Sequence, residues 1–195
     1  MKLRRRTWLI TAALVAAAGV WGLYDRFIED GNFSIYKENT LYRSATLSHH
    51  EWKEILREHP PFRSVLNLRG VNDEAEWYKR EKSLSAEKGI AFYTLGMSAN
   101  HQPDMVTMET LVEMMRAAPK PLLVHCKQGA DRTGLALALY AYAIDGKPAA
   151  EAARQMSLFW GHFPWLTSRT GAMDKAFAAY VAAHPQTTAS TTLTN

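Results

Sequence analysis

The sequence contains very little cysteine: Cys126 is the only one among 195 residues. A single cysteine excludes an internal disulfide and a zinc site built from several cysteines. Two interpretations of Cys126 are left, an inert buried residue or a reactive thiol, and the neighbouring residues decide between them.

Net charge is also scarce outside the N-terminus. The formal charge is +4, but four of the 23 Lys and Arg residues precede Asp25, and the 19 that follow equal the 19 Asp and Glu. This balance gives no argument for nucleic-acid binding. The hydrophobic fraction of 47% is ordinary for a globular protein and predicts one domain with short tails.

The basic cluster ends at Arg6, and residues 7–24 are uncharged and mostly apolar. As a helix rising about 1.5 Å per residue, this segment nearly crosses a bilayer core. The positive-inside rule then predicts a single-pass protein of the inner membrane whose domain faces the periplasm or exterior. A cleaved signal peptide with a site after Ala18, giving a periplasmic protein, remains open, but the apolar run continues past that site and favours an anchor.

The rest of the chain predicts an α/β domain over residues 25–184, followed by a disordered tail at 185–195 that is mostly Thr, Ser and Ala. Short apolar runs at 41–43, 64–68, 90–95 and 121–124 alternate with helical patterns, which indicates a central, mostly parallel sheet flanked by helices. Such sheets carry their sites at the carboxyl ends of the strands. The turn after Val124 is therefore the place to look.

That turn reads HCKQGADRTG over residues 125–134 and leads into a helix that is apolar nearly all round. Backbone N–H groups of a short loop at a helix N-terminus can surround one anion, and the helix field stabilises a thiolate at Cys126. Arg132 offers a planar fork for two phosphoryl oxygens. The predicted phosphate-binding loop comprises Lys127, Gln128, Gly129, Ala130 and Asp131, together with Arg132.

Three further residues of this segment have predicted supporting roles. Gly129 permits a backbone conformation that a side chain would obstruct. Thr133 can donate its hydroxyl to the thiolate, and His125 braces the loop by hydrogen bonds rather than acting as a base. A nucleotide-binding Walker loop is excluded because it needs a lysine directly before its Ser or Thr, and residues 129–134 contain no lysine. Rhodanese-type sulfurtransferases typically have a shorter loop, which suits sulfur rather than phosphate.

The segment resembles the signature of the cysteine-dependent protein tyrosine and dual-specificity phosphatases. LYRSATLS, VLNLRG and the His-Cys loop follow one another in the order of that family's small bacterial, exported form. The resemblance implies a dual-specificity-phosphatase-like domain, a phosphocysteine intermediate and no metal or other cofactor. It places the nucleophile on Cys126 and the phosphate-binding arginine on Arg132.

The general acid departs from the family's pattern. The family usually has an Asp on a mobile loop before the signature, but here the expected position is Asn100. Asp104 is the one carboxylate near Asn100. It has two equally good interpretations, as the general acid or as a first-turn helix residue that complements the helix dipole. Asp131 is the rival, since phosphoinositide phosphatases of the myotubularin type carry an Asp beside the loop arginine, and its alternative role is to brace the loop.

The resulting prediction is a phosphomonoester hydrolase acting on phosphotyrosine proteins. Two alternatives remain open: a phosphatase of membrane phospholipid headgroups, motivated by the anchor, Lys127 and Asp131, and a phosphate-binding pseudoenzyme, motivated by the missing upstream acid.

Residues outside the motif receive plainer predictions. The cluster of Phe159, Trp160, Phe163 and Trp165 is predicted to pack in the core. His162 and the histidines at 49, 50 and 101 show no metal-ligand spacing, so solvated or capping roles are expected.

Overall fold

The computed structural model describes residues 31–165 and 169–186, with scattered positions between 8 and 22. Only ten scattered positions of the predicted N-terminal helix at residues 7–24 are described, and most of the predicted tail lies outside the described residues. Within the described part of the chain, no helix is long and apolar enough to cross a membrane.

A five-stranded sheet forms the centre of the domain, in the order β1-β2-β5-β3-β4. The strands are β1 (Ser34–Lys37), β2 (Leu41–Ser44), β3 (Ser64–Asn67), β4 (Ala91–Thr94) and β5 (Leu122–His125). Only the β1–β2 pair is antiparallel, so the sheet is mixed and mostly parallel, as predicted. β1 is an edge strand with alternating exposure, and its short, polar sequence gives no apolar run to detect.

Within residues 31–186, the described part of the chain contains six helices that cover the sheet or pack on helices that do. They are α1 (His49–Glu58), α2 (Glu76–Glu87), α3 (Met105–Ala117), α4 (Asp131–Ala143), the short α5 (Ala149–Ala152) and α6 (Gly171–Ala183). A capping box formed by Ser48 and Glu51 begins α1. After α5 the chain forms two 3-10 turns, Ala153–Gln155 and Leu158–Trp160, instead of continuing as one helix.

Adjacent residues of each inner strand point into different cores, because successive side chains of a strand face opposite sides of the sheet. On one side, Leu122 and Val124 of β5 pack in a core with α3, α4 and α6. On the other side, Leu123 packs with Trp52 of α1 and Phe62. β5 is buried at every position and lies in the middle of the sheet.

The strand register brings three carboxyl ends together. His125 of β5 is paired with Ser44 of β2 on one side and with Asn67 of β3 on the other. The residues that follow these strands therefore meet at one edge of the sheet, around Cys126.

Candidate active site

The loop after β5 is held from outside through its carbonyl groups. Thr46 donates from Oγ1 to the carbonyl of Cys126 (3.0 Å) and from its backbone N–H to that of Lys127 (3.3 Å). Asn32 Nδ2 donates to the carbonyl of Gln128 (2.9 Å), and Arg43 donates to that of Gly129 (2.7 Å). In a trans peptide the C=O and the following N–H point in opposite directions. Four consecutive N–H groups, those of residues 127–130, are thereby turned to the inside of the loop.

Gly129 has no tolerance for a side chain. Its φ is +68°, and a Cβ atom would lie 2.7 Å from backbone atoms of Ser44 and Ala45. The close approach of β2 to the loop thus depends on glycine at this position, as the motif predicted.

Cys126 and Arg132 are placed at the two ends of this loop. Cys126 is 2% exposed, and α4 begins at Asp131, so the helix N-terminus faces the loop. Arg132 donates from one terminal nitrogen to the carbonyls of Met97 (3.1 Å) and Leu68 (3.4 Å). Its Nε is buried and forms no hydrogen bond with any described residue. A buried, fixed donor of this kind suits an anion bound at the loop.

A second guanidinium group lies beside the first. Arg69, which follows β3, donates to Thr46 Oγ1 (2.9 Å) and stacks 3.5 Å above the ring of Trp77. Burial and the neighbouring positive charge of Arg132 lower the pKa of Arg69, while Cys126 acts in the opposite direction. Two guanidinium groups, those of Arg69 and Arg132, therefore lie beside the loop, which suits a bound anion. Arg43, in contrast, is fully buried and braces the loop through its hydrogen bond to the carbonyl of Gly129.

The two supporting residues occupy the expected elements. His125 Nδ1 is 3.4 Å from the carbonyl of Cys126, and its Nε2 is 2.9 Å from Glu81 Oε1 of α2. The second contact has the distance of an ion pair but not the alignment of a hydrogen bond. Thr133 Oγ1 is buried and bonds to no described residue, so its donation to the thiolate stays a prediction. Nothing in the sequence pointed to Asn32, Thr46 or Glu81, because their contacts span long stretches of chain.

Asp104 lies where a helix cap is needed. It is the N-cap of α3, and its carboxylate accepts from the backbone N–H of Thr107 (2.8 Å). Hydrogen bonds from the side chain of Thr107 and from its backbone N–H lower the pKa of Asp104. An exposed carboxylate that is engaged in this way and stays ionised is a poor proton donor.

Asp131 belongs to a buried network that the sequence did not indicate. His162 Nδ1 is 2.7 Å from Asp131 Oδ1, and His162 Nε2 is 2.9 Å from Asp174 Oδ2 of α6. His162 is 1% exposed, so the solvated role expected for it is wrong. Burial on its own would lower the pKa of His162, but the hydrogen bonds and charges of the two carboxylates outweigh it, and the pKa is raised.

This network predicts a pH dependence of stability. The pKa of His162 is raised in the folded state. Protonated His162 therefore stabilises the folded domain fully at pH values below its ordinary pKa of 6.5, and this stabilisation is lost as the pH rises through the pKa of the folded state. We expect the melting temperature to fall over that range, and His162→Gln to destabilise the domain by about 1–3 kcal/mol and to flatten the profile. The exposed His50, exchanged for Gln, is the matched control. An unchanged profile in His162→Gln would refute the assignment.

The aromatic cluster at 158–165 is largely exposed. Phe159, Phe163 and Trp165 are 62%, 44% and 55% exposed, so the prediction of core packing is wrong for them. Trp160 is half-buried under the guanidinium group of Arg43. The short 3-10 turn at Leu158–Trp160 and the left-handed Gly161 direct the chain along the surface. Asn32 Nδ2 also donates to the carbonyl of Trp160, so Asn32 connects this segment to the loop after β5.

Comparisons with known proteins were made for sequence and for fold. A sequence model of the family described as DSP-PTPase phosphatase fused to NAD+ kinase matches residues 24–164. No curated protein matches the chain significantly. Among the described residues, no group of three or more His, Cys, Asp or Glu has the arrangement of a metal site.

Several solved structures share the fold. The P. aeruginosa TpbA complex with phosphotyrosine is 21% identical, with 73% of this chain and 86% of that one covered and a TM-score of 0.54. The catalytic domain of the PP-IP phosphatase SIW14 from S. cerevisiae is 19% identical, with coverage of 78% and 91% and a TM-score of 0.55. PTPMT1 in complex with PI(5)P is 15% identical, with coverage of 74% and 94% and a TM-score of 0.54. At these identities the likeness establishes the fold.

Proposed function

This chain belongs to the family of dual-specificity (DSP-PTPase) phosphatases, and from that premise we propose that it hydrolyses phosphate monoesters through a phosphocysteine on Cys126. The observation that carries the proposal is the loop itself, with four inward N–H groups between a buried thiol and the unsatisfied Nε of Arg132. Phosphotyrosine on proteins is the first substrate class we propose. The TpbA structure contains phosphotyrosine in the same fold.

The proposed reaction has two steps. The Cys126 thiolate attacks phosphorus, the bond from phosphorus to the leaving oxygen breaks, and an acid protonates that oxygen. Water then attacks the phosphocysteine, gives a proton back to the same group, and releases inorganic phosphate and the thiolate. Arg132 and the loop N–H groups hold the phosphoryl oxygens in both steps.

We assign the acid to Asp131 together with His162. His162, whose pKa is raised, lies 2.7 Å from the carboxylate of Asp131. When His162 is protonated, its imidazolium can give a proton to Asp131, and Asp131 can pass that proton to the leaving oxygen. Asp104 is engaged as a helix cap and has no such proton source among its described contacts.

Two matched exchanges separate the acid candidates. Asp131→Asn is expected to lower kcat for an alkyl phosphate by about 10²–10³-fold, and less for an aryl phosphate, whose phenolate leaves without much protonation. Asp104→Asn is expected to retain activity and stability, because Asn caps a helix as well as Asp does. The reverse pattern in a steady-state assay would move the acid to Asp104.

A membrane phospholipid headgroup is the second candidate substrate. It is favoured by the exposed side chains of the 158–165 segment beside the loop, since aromatic residues are suited to membrane interfaces. It also fits our proposal that residues 7–24 anchor the domain to a membrane. The PTPMT1 structure contains a phosphoinositide in this fold.

Phosphate release by the full chain tests the proposal. A phosphotyrosine peptide and short-chain phospholipid phosphates should be compared side by side, with chelator present. Turnover that is indifferent to chelator supports the enzyme class, and the preferred substrate decides between protein and lipid. A folded chain that binds vanadate but releases no phosphate from any of these would be a pseudoenzyme.

A further inference from the structure

A groove of about 600 Å³ adjoins the catalytic loop. Lys127 and Gln128 of the loop form one wall, and Trp77 and Arg80 of α2 form another, with Thr46 and neighbouring residues between them. The volume is that of a small-molecule pocket. Lys127, Gln128 and Ala130 belong both to the loop and to the lining of the groove, so a phosphate bound at the loop has this groove beside it.

Positive charge exceeds negative charge in this groove, because Arg80 and Lys127 line it together with one carboxylate, that of Glu51. Lys79, next to Arg80 on α2, forms an ion pair with Glu76 (3.3 Å), as outward-facing helix residues commonly do. Arg80 and Lys127 are both exposed, and the side chain of neither forms an ion pair or hydrogen bond with any residue that the structure describes. Glu51, a carboxylate of the groove, is already bonded to the backbone N–H of Ser48 in the capping box.

A short series of contacts connects helix α2 to the backbone of Cys126. Thr46 bonds to the carbonyl of Cys126, Arg69 bonds to Thr46, and Arg69 stacks on Trp77. Trp77 and Arg80 are three residues apart on α2, so they share a helix face, and both line the groove.

We propose that this groove is a second anion subsite, in which Arg80 and Lys127 bind a phosphate adjacent to the one being hydrolysed. The inference rests on the proposed hydrolysis of phosphate monoesters, and it favours a small polyol that carries at least two neighbouring phosphates over a phosphotyrosine protein as substrate. The compact volume favours such a molecule over an extended phosphopeptide. A free polyol phosphate and a lipid headgroup share this chemistry.

The test compares substrates that differ by one phosphate. For the full chain, kcat/KM is measured on inositol bisphosphate with neighbouring phosphates, on inositol monophosphate, and on p-nitrophenyl phosphate. We expect Arg80→Gln to lower kcat/KM for the bisphosphate by about tenfold, the effect of losing one charge-assisted hydrogen bond, and to leave p-nitrophenyl phosphate within about twofold. Lys79→Gln, one residue away and outside the groove, should match wild type on all three.

The outcomes separate the two proposals. Wild-type turnover of p-nitrophenyl phosphate with no preference for the bisphosphate, or an equal loss on all substrates in Arg80→Gln, overturns the subsite and leaves the phosphatase. Preference for an acidic phosphotyrosine peptide over the bisphosphate also overturns it. Absence of any turnover by wild type overturns the proposed function itself. A parallel assay uses phosphatidylinositol bisphosphate in phosphatidylcholine vesicles. A selective loss of activity in Arg80→Gln supports the subsite in either assay. A loss with the soluble bisphosphate identifies a free polyol phosphate as substrate, and a loss on vesicles identifies a lipid headgroup.

Discussion

Exchange of Cys126 for Ser is expected to reduce phosphate release by on the order of 10⁴-fold or more. A serine hydroxyl is nucleophilic only when a base removes its proton. The nearest histidine, His125, has its ring nitrogens directed at Glu81 and at the carbonyl of Cys126, so it is not such a base. The loop N–H groups and Arg132 are retained, so vanadate binding should survive. Steady-state assay and vanadate titration measure the two effects.

The chain makes this experiment unusually clear, because there is no second cysteine to take over or to react with thiol reagents. Cys126 is buried and similar in volume to serine, so the variant should keep the circular dichroism spectrum of wild type. Residual activity above about one per cent, with chelator present, would show that another group attacks phosphorus.

Arg132→Lys is expected to lower kcat by about 10²–10³-fold although the charge is kept. Lysine is a point charge and lacks the fork that can bind two phosphoryl oxygens while also bonding to backbone carbonyls. The bonds from Arg132 to the carbonyls of Leu68 and Met97 join the loops after β3 and β4, so a stability loss of about 1–2 kcal/mol should accompany the loss of rate.

Arg116→Lys is the matched control, since Arg116 lies exposed at the end of α3 and pairs with Glu113. It should leave both kcat and melting temperature near wild type. A kcat for Arg132→Lys within about threefold of wild type would mean that charge alone suffices and that the fork has no role in the transition state.

Local signals predicted the catalytic loop and the elements around it. The capping box at Ser48, the continuous apolar run of β5 and the apolar helix α4 each depend on neighbouring residues, so the sequence displays them directly. The loop glycine is equally local, because its backbone conformation is set where the strand turns into the helix.

The parts that the sequence missed depend on distant residues. His162 is buried because α6 and the start of α4 bring two carboxylates to it from positions 12 and 31 residues away. Arg43 lies within β2 and Arg69 follows β3. Arg43 braces the loop and Arg69 faces it, and the packing against Gln155 and Trp77 decides these roles. The exposed aromatic residues near Phe159 could not be separated from core residues by composition.

The most direct measurement is to trap the intermediate. The full chain is mixed with an aryl phosphate, quenched in acid within one turnover, digested, and analysed by mass spectrometry. Our account predicts one added phosphoryl group on the peptide that contains Cys126, and its accumulation in Asp131→Asn, where return of the proton in the second step is impaired. Steady phosphate release without any phosphorylated Cys126 peptide would contradict the account, because hydrolysis would then proceed by direct attack of water.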